Sequence, residues 1–248
     1  MHRLGLIGGT GLDHFGHAAM LHDIDSVYGR PSASLAEYHI GNLQVFFLPR
    51  HGVQHEIPPH AVNYRANIDA FRQLEVDGII AVNAVGGITS PNQPGTLCVP
   101  DQLIDYTWGR AHTFSMVAGD ELMHIEFTGP FDGRLRPGLL KAAAISNIDV
   151  IDGGCVAVSQ GPRLETAAEI RKFKRDGCDL VGMTSMPEAS LAREAGLDYA
   201  SLCVTANWAA GLEQEPVTMS AIEATLGQAM IEVRNLLGQF FKEFSHVH

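Results

Sequence analysis

Two patterns alternate along this chain: short continuous apolar runs that break at glycine or a polar residue, and stretches whose apolar positions recur every three or four residues. The first pattern marks strands covered on both faces of a sheet, and the second marks helices lying against it. Leu4-Gly5-Leu6-Ile7, Gly78-Ile79-Ile80-Ala81-Val82, Leu180 to Met183 and Tyr199 to Thr205 are runs of the first kind. Glu37 to Ile40 and Leu43 to Leu48 are β-rich and separated by Gly41-Asn42, a two-residue hairpin signal. Shorter strand-like runs lie at Asp149 to Ile151 and Cys155 to Ser159. Helical spacing appears in Asn63 to Leu74, through Ala66, Ile68, Phe71 and Leu74, and again from Leu139 to Ile145. Thr218, Ser220 and Glu223 open a long final helix with Ile222, Leu226, Met230, Val233, Leu237 and Phe241 on one face.

Two further helix starts carry the S/T-x-x-E pattern of a capping box, Thr166 with Glu169 and Ser185 with Glu188. Thr107 to Pro130 has no periodicity, and its aromatic and Met content favours an interface over disorder. The alternation of elements predicts an α/β protein, a central mixed sheet flanked by helices. With no internal repeat and no linker, residues 1–248 are expected to form a single domain.

The strands end in an informative way. The first empties into Gly8-Gly9-Thr10-Gly11-Leu12, where glycines let the backbone approach a ligand and Thr10 adds a hydroxyl suited to an oxyanion. A dinucleotide pyrophosphate and an unliganded tight turn are both open at this point. The G-x-G-x-x-G fingerprint fails, because His14 stands where its third glycine, counted from Gly9, belongs. Leu43 to Leu48 runs into Pro49-Arg50-His51-Gly52, and the strand at Gly78 ends in Asn83-Ala84-Val85-Gly86-Gly87. Ligands in α/β sheets gather at such strand ends.

His51 and His55 have i,i+4 spacing, but Gly52 and Pro58-Pro59 indicate a loop and no carboxylate or cysteine completes a metal set.

Composition narrows the class. The formal net charge of −11 disfavours a nucleic-acid surface, which needs clustered Lys and Arg. No run approaches the ~20 apolar residues of a membrane span. The apolar run after Arg3 is too short for a signal peptide, so cytoplasmic residence is the default expectation. Cys98, Cys155, Cys178 and Cys203 are scattered, without a C-x-x-C pair, and read as reduced thiols.

Taken together, Gly8-Gly9-Thr10-Gly11-Leu12, Arg50-His51-Gly52, Val62-Asn63-Tyr64-Arg65-Ala66-Asn67, Gly161-Pro162-Arg163 and Met183-Thr184-Ser185-Met186-Pro187-Glu188 resemble the methylthioadenosine phosphorylase branch of the trimeric purine nucleoside phosphorylases. The resemblance extends from Arg3 to the final helix. It implies a nucleoside-phosphorylase-like fold, a homotrimer, and phosphate-dependent cleavage of an N-glycosidic bond, with inorganic phosphate as co-substrate and no cofactor.

By matching position it implies phosphate contacts from Thr10, Arg50, His51, Asn83, Ala84 and Thr184, although family members often carry threonine at the position of Asn83. Met183 would pack along the ribose, and His124 would reach a neighbouring subunit's site. Arg50, Thr184 and Asn207 are the catalytic candidates. The reaction passes through an oxocarbenium-like sugar, so it needs an anion placed beneath C1′ and donors for the departing purine rather than a protein nucleophile.

Two departures bear on the base. The stretch Asn207-Trp208-Ala209 lacks the two aspartates of members that cleave methylthioadenosine, and Asn207 matches the asparagine of 6-oxopurine enzymes. Glu165 matches a glutamate of those enzymes that accepts from N1–H. At the 5′ end, Met219 stands where the 6-oxopurine enzymes place a histidine, with Ile222 close by, and an apolar pair suits a methylthio group. A 6-oxopurine bearing a 5′-methylthio group is 5′-methylthioinosine. The alternatives are methylthioadenosine, a general 6-oxopurine nucleoside, or a nucleotide-binding protein without catalysis.

Overall fold

The computed structural model describes residues 2–116, 123–213 and 218–246. Its centre is the pairing of β5 (Gly78–Gly87) with β11 (Asp198–Trp208), which run parallel along almost their whole length. On the other side of β5 lies β1 (His2–Gly8), parallel and in register from Gly5 opposite Ile79 to Ile7 opposite Ala81.

Burial alternates along these strands with the two-residue period of the pleat. Leu4, Leu6, Ile80, Val82, Leu202 and Val204 join one core, whereas Ile7, Ile79, Ala81, Tyr199 and Cys203 join another. Both faces are therefore dry, which is why the sequence shows continuous apolar runs.

Strands β2 (Met20–His22), β3 (Leu35–Ile40) and β4 (Leu43–Pro49) extend the sheet beyond β1, the last two joined by the hairpin at Gly41-Asn42. Past the far end of β5, antiparallel to it, stands β10 (Leu180–Gly182), followed by β9 (Cys155–Val158) and β7 (Gln102–Asp105). β6 (Leu97–Val99) and β8 (Val150–Asp152) continue the sheet from β11. The sheet is mixed, as expected. β2, β6 and β7 are three- and four-residue strands with no signal in the pattern.

Helices α2 (Leu135–Ser146) and α5 (Met219–His246) cover one face. All six stripe residues of α5, from Ile222 to Phe241, are buried, each contributing roughly 1.5–3 kcal/mol of apolar transfer. The other face holds α1 (Tyr64–Gln73) and α4 (Ser185–Glu194). α3 (Ala167–Arg175) packs near β9 and β10 through Ile170 and Phe173. Among the described residues no helix is long and apolar enough to cross a membrane.

The structure corrects three expectations. β5 does not end at Val82 but continues through Asn83-Ala84-Val85-Gly86-Gly87, because β11 pairs with it that far. α2 starts four residues before Leu139, with Leu135 buried. The capping box at Thr166 and Glu169 forms, but the one at Ser185 and Glu188 does not. Met186 has extended φ/ψ angles that break the first turn of α4, and the Glu188 carboxylate is engaged elsewhere.

Candidate active site

The ends of β1, β4, β5, β10 and β11 converge on a cavity of about 520 Å³, with α5 contributing Met219 and Ile222. At the β1 end, Thr10 sits in the glycine loop. A Cβ on Gly9 would come within 2.6 Å of the Val82 carbonyl and 2.8 Å of Arg50 Nη1, so only glycine lets the loop lie against the guanidinium.

Arg50 is 1% exposed and Glu188 is fully buried. Arg50 Nε and Nη2 donate to the two Glu188 oxygens at 2.8 Å each, a fork-to-fork pair, while Nη1 donates to the Val82 carbonyl at 3.3 Å. Tyr199 Oη donates to Glu188 Oε1 at 2.8 Å.

His51 Nδ1 lies 2.8 Å from the Ile57 carbonyl, which can only accept, so Nδ1 carries the proton and Nε2 presents a lone pair. Burial, with Arg50 adding to it, lowers the His51 pKa to about 4, so the ring is neutral at physiological pH. The His55 ring stands 4.7 Å from that of His51, with Nδ1 3.3 Å from Asp13 Oδ1 and Nε2 3.5 Å from Thr10 Oγ1.

Thr184 and Met183 enter from the turn between β10 and α4. Thr184 Oγ1 donates to Asn83 Oδ1 at 3.0 Å, and Asn83 Nδ2 donates to Ser201 Oγ at 2.8 Å.

At the opposite end, Glu165 precedes the α3 cap and accepts from Ser159 Oγ at 2.5 Å. Burial raises its pKa above the ordinary carboxylate value. Asn207 Nδ2 donates to the Trp208 carbonyl at 2.7 Å, which fixes the amide plane and leaves its second hydrogen and Oδ1 free of that bond.

Of the residues singled out from sequence, Thr10, Arg50, His51, Ala84, Glu165, Met183, Thr184, Asn207, Ala209, Met219 and Ile222 line this one cavity. Three do not. Asn83 is buried behind Thr184 and turned toward Ser201, Trp208 contributes its carbonyl to Asn207, and His124 is exposed away from the cavity of its own chain.

Sequence reasoning missed Glu188, Ser159, His55 and Arg110. Arg110 Nη1 donates to the Met183 and Met186 carbonyls at 2.8 and 2.6 Å, and Nη2 to the Gln160 carbonyl at 2.8 Å. His55 had a visible signal in its spacing from His51, and Glu188 was visible only as a capping-box partner and the last residue of the Met183–Glu188 motif.

This geometry joins a glycine loop, an oriented guanidinium and hydroxyls to a base-end carboxylate and carboxamide. Residues 3–242 match the phosphorylase superfamily, and the chain belongs to it. The chain is 46% identical over 239 residues to a probable S-methyl-5'-thioinosine phosphorylase of Xanthomonas campestris, covering 95% of this chain and 96% of the relative. It is 44% identical over 211 residues to the S-methyl-5'-thioadenosine phosphorylase of Mycolicibacterium smegmatis, covering 85% and 78%. The solved methylthioadenosine phosphorylase of Schistosoma mansoni in complex with adenine superposes with a TM-score of 0.93 at 32% identity, over 98% of this chain and 92% of that one.

Proposed function

We propose that this chain catalyses phosphorolysis of S-methyl-5'-thioinosine to hypoxanthine and 5-methylthioribose 1-phosphate. The observation that carries the substrate choice is that Glu165 and Asn207 line the same cavity as Met219 and Ile222. An ionised Glu165 accepts from N1–H, which hypoxanthine has and adenine lacks. Asn207, pinned by the Trp208 carbonyl, has its second amide hydrogen for O6 and Oδ1 for a protonated N7. Met219 and Ile222 offer an apolar wall to a methylthio group, Ile222 buried and Met219 62% exposed at the start of α5.

Phosphate is assigned to the end formed by Thr10, Arg50, His51, Ala84 and Thr184, with the His51 Nε2 lone pair accepting from the P–OH of a protonated phosphate. There it faces C1′ as the glycosidic bond lengthens, and its charge stabilises the oxocarbenium-like sugar. No covalent intermediate with the protein is needed. We further propose a cytoplasmic homotrimer in which His124 serves a neighbouring site. The exposure of Val53, Trp108, Met116 and Met123 supports burial of these side chains between copies.

The experiment is release of hypoxanthine from methylthioinosine with and without phosphate. Release that requires phosphate supports phosphorolysis. Binding of the nucleoside without release, phosphate present, would make the chain a nucleoside-binding protein.

A further inference from the structure

Resting on the phosphate assignment above, we infer that Glu188 is a buried counter-charge that makes the phosphate site electrically neutral. Arg50 then offers oriented donors without net positive charge, and the anion's own charge stays available to the ribosyl cation. Glu188 touches neither substrate and acts through Arg50 as a positioning residue.

Among the described residues lining the cavity, Arg50 is the only arginine or lysine. Its charge does not face the cavity uncompensated. Glu188 meets it through two parallel 2.8 Å bonds with no exposed surface, and Tyr199 Oη holds the carboxylate from behind. This fork leaves one hydrogen on Nη2 and one on Nη1 for a ligand, and Nη1 lies beside the Gly9 backbone next to Thr10.

The remaining phosphate candidates add no charge. His51 is neutral, Thr10 contributes a hydroxyl, and Thr184, whose hydroxyl donates to Asn83 Oδ1, would turn that hydrogen to the phosphate when it binds. The other titratable groups of the lining are the acidic Glu56 and Glu165, and His55, whose Nδ1 lies 3.3 Å from the Asp13 carboxylate. A site that bound phosphate with an unpaired guanidinium would hold it more tightly but quench the negative charge the transition state needs. Binding equally strong in ground and transition state does not raise kcat.

The test is phosphorolysis with phosphate as the varied substrate, for the wild type, Glu188→Gln, Tyr199→Phe and Thr184→Ala. Glu188→Gln keeps the shape and removes the charge. Its phosphate KM is expected to fall at least threefold while kcat falls at least tenfold, and phosphate should raise its Tm more than it raises the wild type's. A raised phosphate KM with unchanged or lower kcat overturns the inference, because a carboxylate that merely holds Arg50 in place would behave that way.

Tyr199→Phe decides the matter if Glu188→Gln does not fold. Removing that donor strengthens the carboxylate's hold on Arg50, so the phosphate KM should rise about twofold without loss of kcat. An unchanged or lowered KM, or a raised KM with a lower kcat, contradicts the inference. Thr184→Ala separates the two levels of the argument. If it leaves the phosphate KM unchanged, the phosphate assignment fails and the inference with it. If it raises the KM while Glu188→Gln raises it too, only the counter-charge fails.

Discussion

Ser159 Oγ donates to Glu165 Oε1 across 2.5 Å at the base end of the cavity, between the end of β9 and the cap of α3. The bond stabilises the ionised carboxylate against a burial that favours its protonated form. Glu165 therefore changes from acceptor to donor as pH falls through its raised value. An ionised carboxylate suits N1–H of a 6-oxopurine, whereas a protonated one suits the bare N1 of a 6-aminopurine. The ratio of kcat/KM for methylthioinosine over methylthioadenosine should decline on acidification. Ser159→Ala should shift that decline to higher pH, because the hydrogen bond that favours the ionised form is gone. Steady-state kinetics at several pH values check this, and a pH-independent ratio would remove Glu165 from base recognition.

His51 predicts a stability effect separable from activity. The unfolded chain takes up a proton at this ring near the ordinary value of 6.5, and the native chain does so only near 4. The stability gained by keeping the ring neutral is thus present above about 6.5 and lost as pH falls toward 4, amounting to about 3 kcal/mol across the window. Urea unfolding of the wild type and His51→Gln between pH 7 and 4 should show a shallower decline in the variant. Parallel declines would refute the assignment.

Arg110 ties together two walls of the site. Through the carbonyls of Gln160 on one side and of Met183 and Met186 on the other, it fixes the loop before α3 against the turn that carries Thr184. Its guanidinium also lies over the Tyr64 ring, 5.4 Å from the centroid. Arg110→Ala leaves three carbonyls without their donor and should cost about 2–4 kcal/mol. The nucleoside KM should rise with it. Arg110→Lys should recover only part, since an ammonium lacks the planar fork. Thermal unfolding and nucleoside KM measured together check this.

What the sequence made legible follows from where the information lies. Strands β1, β5 and β11 are dry on both faces, so their burial is written as continuous apolar runs, and α5 writes its single buried stripe at helical spacing. Strands β2 and β7 have no fully buried residue and so write no continuous apolar run, and β6 is a three-residue run that nothing local marks as a strand. The glycine loop, Arg50-His51 and the Met183-Thr184 turn were visible because each is a local string at a strand end. Glu188 was not. Its spacing from Ser185 copies a capping box, while its partner Arg50 lies 138 residues away. Asn83 sits at a strand position that the pleat turns away from the cavity, and nothing local distinguishes it from Ala84 beside it. Ser159 and Arg110 act through partners fixed only by the fold.

The central claim is that Glu165 and Asn207 select a 6-oxopurine while Met219 and Ile222 select a methylthio group. It is tested most directly by kcat/KM for methylthioinosine, methylthioadenosine and inosine under one set of conditions with saturating phosphate. The account predicts that methylthioinosine exceeds methylthioadenosine by roughly a hundredfold, the effect of two mispaired buried groups, and that inosine is also used less well. A higher kcat/KM for methylthioadenosine would contradict the roles of Glu165 and Asn207, and equal use of inosine would contradict those of Met219 and Ile222.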